Sequence, residues 1–321
     1  MGSQNPYVFI VGCPRSGTTL LRRIVDGHPE IAITHAEAHW ILDIYRGRFG
    51  LTAQGEVRSE LLTALVDHPK FAKLQIERTE LEQLLPAEGA MSYSGFVTAL
   101  FDLYGRRSGK ALAGDKTPRY VREIATLHEL WPTARFIHLI RDGRDVCLSA
   151  INWQRKAAQF ARRFPTWTED PVTTAALWWK WHVLRGRNEG LPLGPSLYYE
   201  VRYEALVTEP EPTCSELCAF LGLRYDDAML RFHEGRVRSK PGLSAKKAWL
   251  PVTPGLRNWT TQMAPADIEA FEAAAGELVD ELGYSRAVPD PSGQHLHHAS
   301  TIAARFTRNI PAPGQALPRD W

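Results

Sequence analysis

No run in this chain approaches the ~18 consecutive apolar residues of a membrane span, and its first residues lack the basic start and long apolar stretch of a secretory leader. Met1-Gly2 is followed by Pro6 where a myristoylation signal carries Ser or Thr. A soluble cytoplasmic protein is therefore the default expectation. Net charge is equally scarce: a formal +2 over 321 residues makes no field that would draw nucleic acid or a membrane surface, so any basic function has to be local. Cysteine is limited to Cys13, Cys147, Cys214 and Cys218. Cys214 and Cys218 stand four apart on a predicted helix, but no His/Cys set has zinc spacing, and the thiols read as buried and reduced. Internal repeats are absent. What remains is an ordinary globular composition, 44% hydrophobic, with enough apolar residues for one large α/β domain or two small ones.

The most informative absence is one side chain. Gly12 to Thr19 fits the phosphate-loop pattern G-x-x-x-x-G-K-[ST] at every position except the lysine, which is Thr18. A nucleotide kinase or ATPase places that lysine on the β- and γ-phosphates, and Thr18 cannot supply the charge. Around the gap, the rest of the motif is intact. Tyr7 to Val11 read as a strand, and Leu20, Leu21, Ile24 and Val25 share one face of a following helix. A small-residue loop between them gathers backbone N–H groups at a positive helix N-terminus, so the expected ligand is a phosphate or sulfate. Arg15 lies within that loop and could fork onto the anion. The structural alternative is a plain Gly/Ser turn joining a core strand to a core helix.

Further along, Ile31-Ala32-Ile33 reads as a short strand, which places Glu37 just beyond a strand end. From about residue 40 to 110 the pattern is mainly helical, with amphipathic pieces at Glu60 to Val66, Leu81 to Leu85 and Phe96 to Tyr104. Gly114-Asp115-Lys116-Thr117-Pro118 reads as a loop before a helix from about Arg119 to Leu130. Arg135 to Ile140 is the clearest second strand, ending in Arg141-Asp142-Gly143-Arg144-Asp145 and a helix through Ser149. Open parallel sheets bind ligands at such strand ends, so Gly12 to Thr19 and Arg141 to Ser149 are expected at one edge. The helix Ala175 to Arg185 carries Trp178, Trp179 and Trp181; its aromatics could stack an adenine, but core packing is the expectation. Ser196 to Val201 reads as a strand, Glu216 to Leu221 and Tyr225 to His233 as helices, and Ser239 to Pro254 as a loop rich in Lys, Pro and Gly. Pro265 to Leu282 is a strong helix stopped at Gly283. From Ser285 the periodicity weakens, and the tail reads as an extension laid on the surface or partly disordered.

Together, Pro14 to Thr19, Gly114 to Pro118, Arg135 to Asp145 and Val201-Arg202-Tyr203-Glu204 resemble, in order and spacing, the sulfotransferases that use 3′-phosphoadenosine 5′-phosphosulfate (PAPS). The bacterial branch, which is similar to the protein-tyrosine sulfotransferases, fits best. The resemblance covers roughly residues 7–284, with gaps in the helical insertion. It implies an α/β, P-loop-type three-layer fold: a central, mainly parallel sheet flanked by helices over residues 1–284, with 285–321 as a C-terminal extension. It also implies that Pro14, Arg15, Ser16, Gly17, Thr18 and Thr19 hold the 5′-phosphosulfate. Arg141 and Ser149 take the 3′-phosphate, and Tyr203 lies near the cofactor. Lys247 is carried over as a cofactor contact, with Lys246 and Arg257 as further candidates from a region that aligns poorly. Where the tyrosine sulfotransferases have a second arginine after the serine, this chain has Trp153, and Arg155 or Lys156 could replace the contact. Arg144 reads as the structural arginine of its motif; a charged surface turn with internal ion pairs is the alternative for the whole motif.

Sulfuryl transfer needs an acceptor atom in line with sulfur, a base for its proton and cations for the charge on the transferring group. By resemblance Glu37 is the base, allowing one inserted loop residue, and Lys116 is the partner cation, with Arg15 beside them. His35 and His39 are rivals for the base. The transferring group carries less charge than a γ-phosphoryl, and no metal triad is evident. The acceptor, whether small molecule, lipid, sugar or peptide, is not specified by any motif, and a homodimer stays open. A metal-dependent phosphotransferase or nucleotide hydrolase is the enzymatic alternative, opposed by Thr18. A non-catalytic nucleotide-binding module is the other, opposed by Glu37 and Lys116.

Overall fold

Strand β1 (Val8–Val11) is buried on both faces, as a four-residue run of Val, Phe and Ile at the centre of a parallel sheet should be. The computed structural model describes residues 2–87, 89–234, 251–253, 255 and 257–311, without the side chains of 154–157. After β1 come α1 (Thr18–Gly27) and β2 (Ile31–Ile33), then the insertion: α2 (Trp40–Gly47), α3 (Glu60–Val66), α4 (Arg78–Glu82) and α5 (Tyr93–Arg107). The chain returns as β3 (Leu112–Lys116), a 3-10 turn at Pro118–Arg122, α6 (Ile124–Leu130) and β4 (Arg135–Ile140). Next are α7 (Gly143–Ile151), α8 (Gln154–Arg163), α9 (Thr166–Glu169), α10 (Pro171–Gly190) and β5 (Tyr198–Arg202). Among the described residues after β5 come the helices α11 (Tyr203–Thr208), α12 (Pro210–Leu221), α13 (Trp259–Gln262), α14 (Pro265–Glu281) and α15 (Gly293–Thr307).

The five strands pair in parallel in the order β2-β3-β1-β4-β5, giving the expected P-loop-type three-layer architecture. Side chains alternate across it. Phe9, Val11 and Phe136 face the insertion and α6, while Val8, Ile10, Ile137 and Leu139 face α1, α11 and α12. A third apolar cluster joins α7, α10 and α14. Because β1 and β4 are parallel neighbours, with Val11 opposite His138, the segments leaving their C-terminal ends emerge together.

Four local expectations change. Gly114, Asp115 and Lys116 belong to β3 rather than to a loop: Gly, Asp and Lys are poor strand formers, but a Cβ on Gly114 would lie 2.4 Å from the Val8 carbonyl oxygen, so the close-packed strand excludes other residues there. The helix expected over 119–130 breaks at Glu123, which has φ −134° between the 3-10 turn and α6. Between Tyr225 and His233 only a 3-10 turn forms, at Asp227–Met229. In the tail, Gly293–Thr307 is helical and lays Ala299, Ile302 and Phe306 inward. The tryptophans meet the packing expectation, with Trp178 and Trp179 buried. No helix among the described residues is long and apolar enough to cross a membrane.

Candidate active site

Beyond Val11 the chain turns sharply between β1 and α1. Arg15 has φ 80°, a left-handed conformation costing a non-glycine residue roughly 1–2 kcal/mol, and Gly17 has φ 102° as the N-cap of α1. Gly17 is also crowded: a Cβ there would lie 2.5 Å from Cε2 of Tyr203. The Ser16 N–H donates to the Cys13 carbonyl at 3.1 Å, while the Ser16 hydroxyl is buried with no hydrogen-bond partner among the described residues. Pro14 and Thr19 are half-buried at the two ends of this turn, and Thr18 is buried as the first residue of α1.

Facing the turn is a cluster of guanidiniums. Arg15 Nε donates to the Ser149 hydroxyl at 2.9 Å, joining the first loop to α7, and its guanidinium lies 4.7 Å above the Trp153 ring. Arg141 sits 4.1 Å over the Tyr203 ring and pairs with Asp145 at 2.8 Å; its Nε is buried and has no hydrogen-bond partner among the described residues. The Trp179 indole N–H donates to the Arg141 carbonyl at 3.1 Å, so the tryptophan helix is both core and brace for this strand end. Burial, then the charges of Arg257 and Arg141, push the Arg15 pKa down. Burial and Arg141 do the same to Arg257, with Asp145 opposing. Three cations that raise one another's free energy around an orphaned hydroxyl and a helix N-terminus make a place where bound anions lower the energy. Arg144 is not among them: fully buried, it is held by Asp142 at 2.7 Å and Glu272 at 2.6 Å.

Next to this cluster, at the ends of β2 and β3, Glu37 meets Lys116 at 3.0 Å, His39 at 3.0 Å and Lys70 at 3.6 Å. Burial pulls the Glu37 carboxyl upward, but the His39 hydrogen bond and the charges of Lys116, His39 and Lys70 outweigh it and hold it well below the usual carboxylate range. Burial lowers the His39 pKa, with the nearby charges of Arg119 and Lys70 adding to it, against the hydrogen bond and charge of Glu37. His35 turns away, toward Tyr104 and the Lys73 carbonyl.

The structure thus gathers Arg15, Ser16, Gly17, Thr18, Arg141, Ser149 and Tyr203 along one edge, with Glu37 and Lys116 beside them. Arg257, the weak candidate of the sequence, stands in the cationic cluster. Lys246 and Lys247 lie outside the described residues, as do the side chains of Arg155 and Lys156. Lys70 was not foreseen; it comes from the insertion, where no motif marks it. Asp115 and Thr117 were seen only as parts of a motif, and both bond the backbone at Ala38.

The chain is similar to several known proteins. Protein-tyrosine sulfotransferase 2 of Gallus gallus is 26% identical over 298 residues, covering 90% of this chain and 72% of the relative. Nodulation protein NoeE of Sinorhizobium fredii is 28% identical over 92% of this chain and 68% of its own length. In fold, the sulfotransferase domain of the Synechococcus PCC 7002 olefin synthase superposes with a TM-score of 0.56 at 23% identity, covering 87% of this chain and 94% of that one. The profile of the sulfotransferase family matches residues 6–227, and the chain belongs to that family of sulfate-transferring enzymes.

Proposed function

We propose that this sulfotransferase takes its sulfuryl group from PAPS and delivers it to a hydroxyl or amine, with Glu37 accepting the acceptor's proton. The observation that carries the reading is the Glu37–Lys116 pair, 3.0 Å apart and placed at the same sheet edge as the Arg15, Arg141 and Arg257 cluster. The donor supplies an activated sulfate and a leaving phosphate. Ser16, Gly17, Thr18 and Thr19 cradle its 5′ end with the N–H groups that open α1, together with Pro14 and Arg15. Arg141 and Ser149 bind the 3′-phosphate, with the Tyr203 ring supporting Arg141, and Lys247 and Arg257 complete the anionic contacts.

Without ligands, Glu37 is a poor base because its cations stabilise the carboxylate too well. Lys116, drawn from Glu37 to the charge on the transferring group, leaves that carboxylate less stabilised, and the Glu37 pKa rises toward its ordinary range. One residue movement both shields the sulfuryl oxygens and sharpens the base. The acceptor is a hydroxyl-bearing small molecule, lipid, sugar or peptide. The four free, buried thiols fit a reducing compartment, and we place the enzyme in the cytoplasm.

Thermal shift with adenosine 3′,5′-bisphosphate against Mg-ATP tests the donor; stabilisation by Mg-ATP alone would overturn it. With labelled PAPS and a panel of phenols, alkanols and sugars, Glu37→Gln is expected to lower kcat by roughly 10²–10⁴-fold. Lys116→Ala should fall comparably, and both should bind the bisphosphate within about twofold of the parent in calorimetry. Near-normal turnover in both removes Glu37 and Lys116 from the chemistry.

A further inference from the structure

Glu37 lies in residues 34–39, which join β2 to α2 without regular secondary structure, so other parts of the chain must hold it in place. The nearest anchors come from β3 and the turn after it. The Thr34 hydroxyl donates to Asp115 Oδ1 at 2.7 Å, and the Ala38 N–H donates to the same oxygen at 3.2 Å and to Thr117 Oγ1 at 2.8 Å. The Tyr120 hydroxyl closes on the Ala38 carbonyl, and the Thr34 N–H donates to the Gly114 carbonyl at 3.0 Å. Asp115 is fully buried, and its Oδ2 has no hydrogen-bond partner among the described residues. A carboxylate with one satisfied oxygen is an expensive way to fill a core position.

We propose that Asp115 is a positioning residue for sulfate transfer: its Oδ1, held by Thr34 and Ala38, fixes the backbone on both sides of Glu37 and so aims the Glu37 carboxylate. Two consecutive residues of β3 then grip Glu37 from different directions. Lys116 holds its side chain, while Asp115 holds its backbone. Lys116 leaves when the donor arrives, so the Asp115 contacts are the ones that persist through the reaction. The inference rests on Glu37 being the base.

Because the role is that of an acceptor at Oδ1, Asp115→Asn keeps it and Asp115→Ala loses it. Turnover is measured with labelled PAPS and the fastest acceptor of the panel, and donor-site integrity by calorimetry with adenosine 3′,5′-bisphosphate. Asp115→Ala is expected to lose about tenfold or more in kcat, with bisphosphate affinity within about twofold and Asp115→Asn within about threefold of the parent. In a Glu37→Gln background Asp115→Ala should cost nothing further, since it acts through Glu37. A merely structural residue would instead lower bisphosphate affinity and multiply the Glu37→Gln loss, and either result overturns the proposal. So does an Asp115→Asn variant as slow as Asp115→Ala. Should Asp115→Ala fail to fold, Thr34→Val and Thr117→Val each remove one anchor at nearly constant shape; unchanged kcat in both overturns the role, and a severalfold fall confined to the Glu37-containing background supports it. Normal kcat in Asp115→Ala beside a crippled Glu37→Gln sinks this inference alone, whereas a fully active Glu37→Gln sinks the reading beneath it.

Discussion

Burial lifts the Asp115 carboxyl from its ordinary 3.8 to about 6, against the bonds from Thr34 and Thr117, the charge of Lys116 and the Ala38 N–H. The folded state is therefore favoured by this group while it is protonated in both states, below about pH 4, and that advantage is lost as pH rises through 6. At pH 7 the ionised group costs stability on the order of 3 kcal/mol. Asp115→Asn keeps the acceptor and discards the charge, so it should melt higher than the parent at pH 7.5 and with little difference at pH 4. Equal melting temperatures at both pH values would show that Asp115 is not destabilising. The same residue illustrates the limit of the sequence as a guide to the site. Glu37, Lys116, Arg15 and Arg141 could be singled out as candidates because each sits near a strand end within stretches that carry the family resemblance or its spacing. The grip of Asp115 on Ala38 and the approach of Arg257 to Arg15 are tertiary, joining segments far apart in the chain, and no spacing encodes them.

At the scale of elements, the phosphate loop is shaped by what packs behind it. Gly17 combines a left-handed backbone with a neighbour, Tyr203, that leaves no room for a Cβ, and Tyr203 in turn lies under Arg141. A single methyl at position 17 thus strains the N-terminus of α1 and shifts the ring that supports Arg141. Gly17→Ala is expected to weaken adenosine 3′,5′-bisphosphate binding by at least tenfold, about 1.4 kcal/mol, and to lower Tm. Retained calorimetric affinity would show that loop and arginine are not coupled through Tyr203. Helices and strands with strong periodicity were readable along most of the chain, including β1, β4, α5 and α14. Those that were not have identifiable reasons: β3 carries Gly114 because the neighbouring strand presses on it, and α15 shows only Ala299, Ile302 and Phe306 inward on an otherwise polar helix.

Taken as a whole, the described residues form three apolar clusters but one sheet that feeds them all. β4 alone sends Phe136 into the first, Ile137 and Leu139 into another, and Ile140 into the third. Loss of packing in any cluster is consequently felt by a strand that the others share, and unfolding should be a single event. The C-terminal helix α15 tests this, because it lies at the far end of the chain and would be the first part to detach if the clusters were independent. Phe306 is its largest buried side chain, stacked on Phe164 at 4.7 Å between ring centroids. Truncating a buried Phe to Ala costs about 3 kcal/mol or more. Phe306→Ala should therefore lower one Tm by several degrees while leaving adenosine 3′,5′-bisphosphate affinity within about twofold, since the proposed anion-binding residues lie at the strand ends and not in this contact. Calorimetry that instead resolves an early, small transition beside an unshifted main one would mean that α15 is an appendage, with the sheet passing none of its stability to that end of the chain.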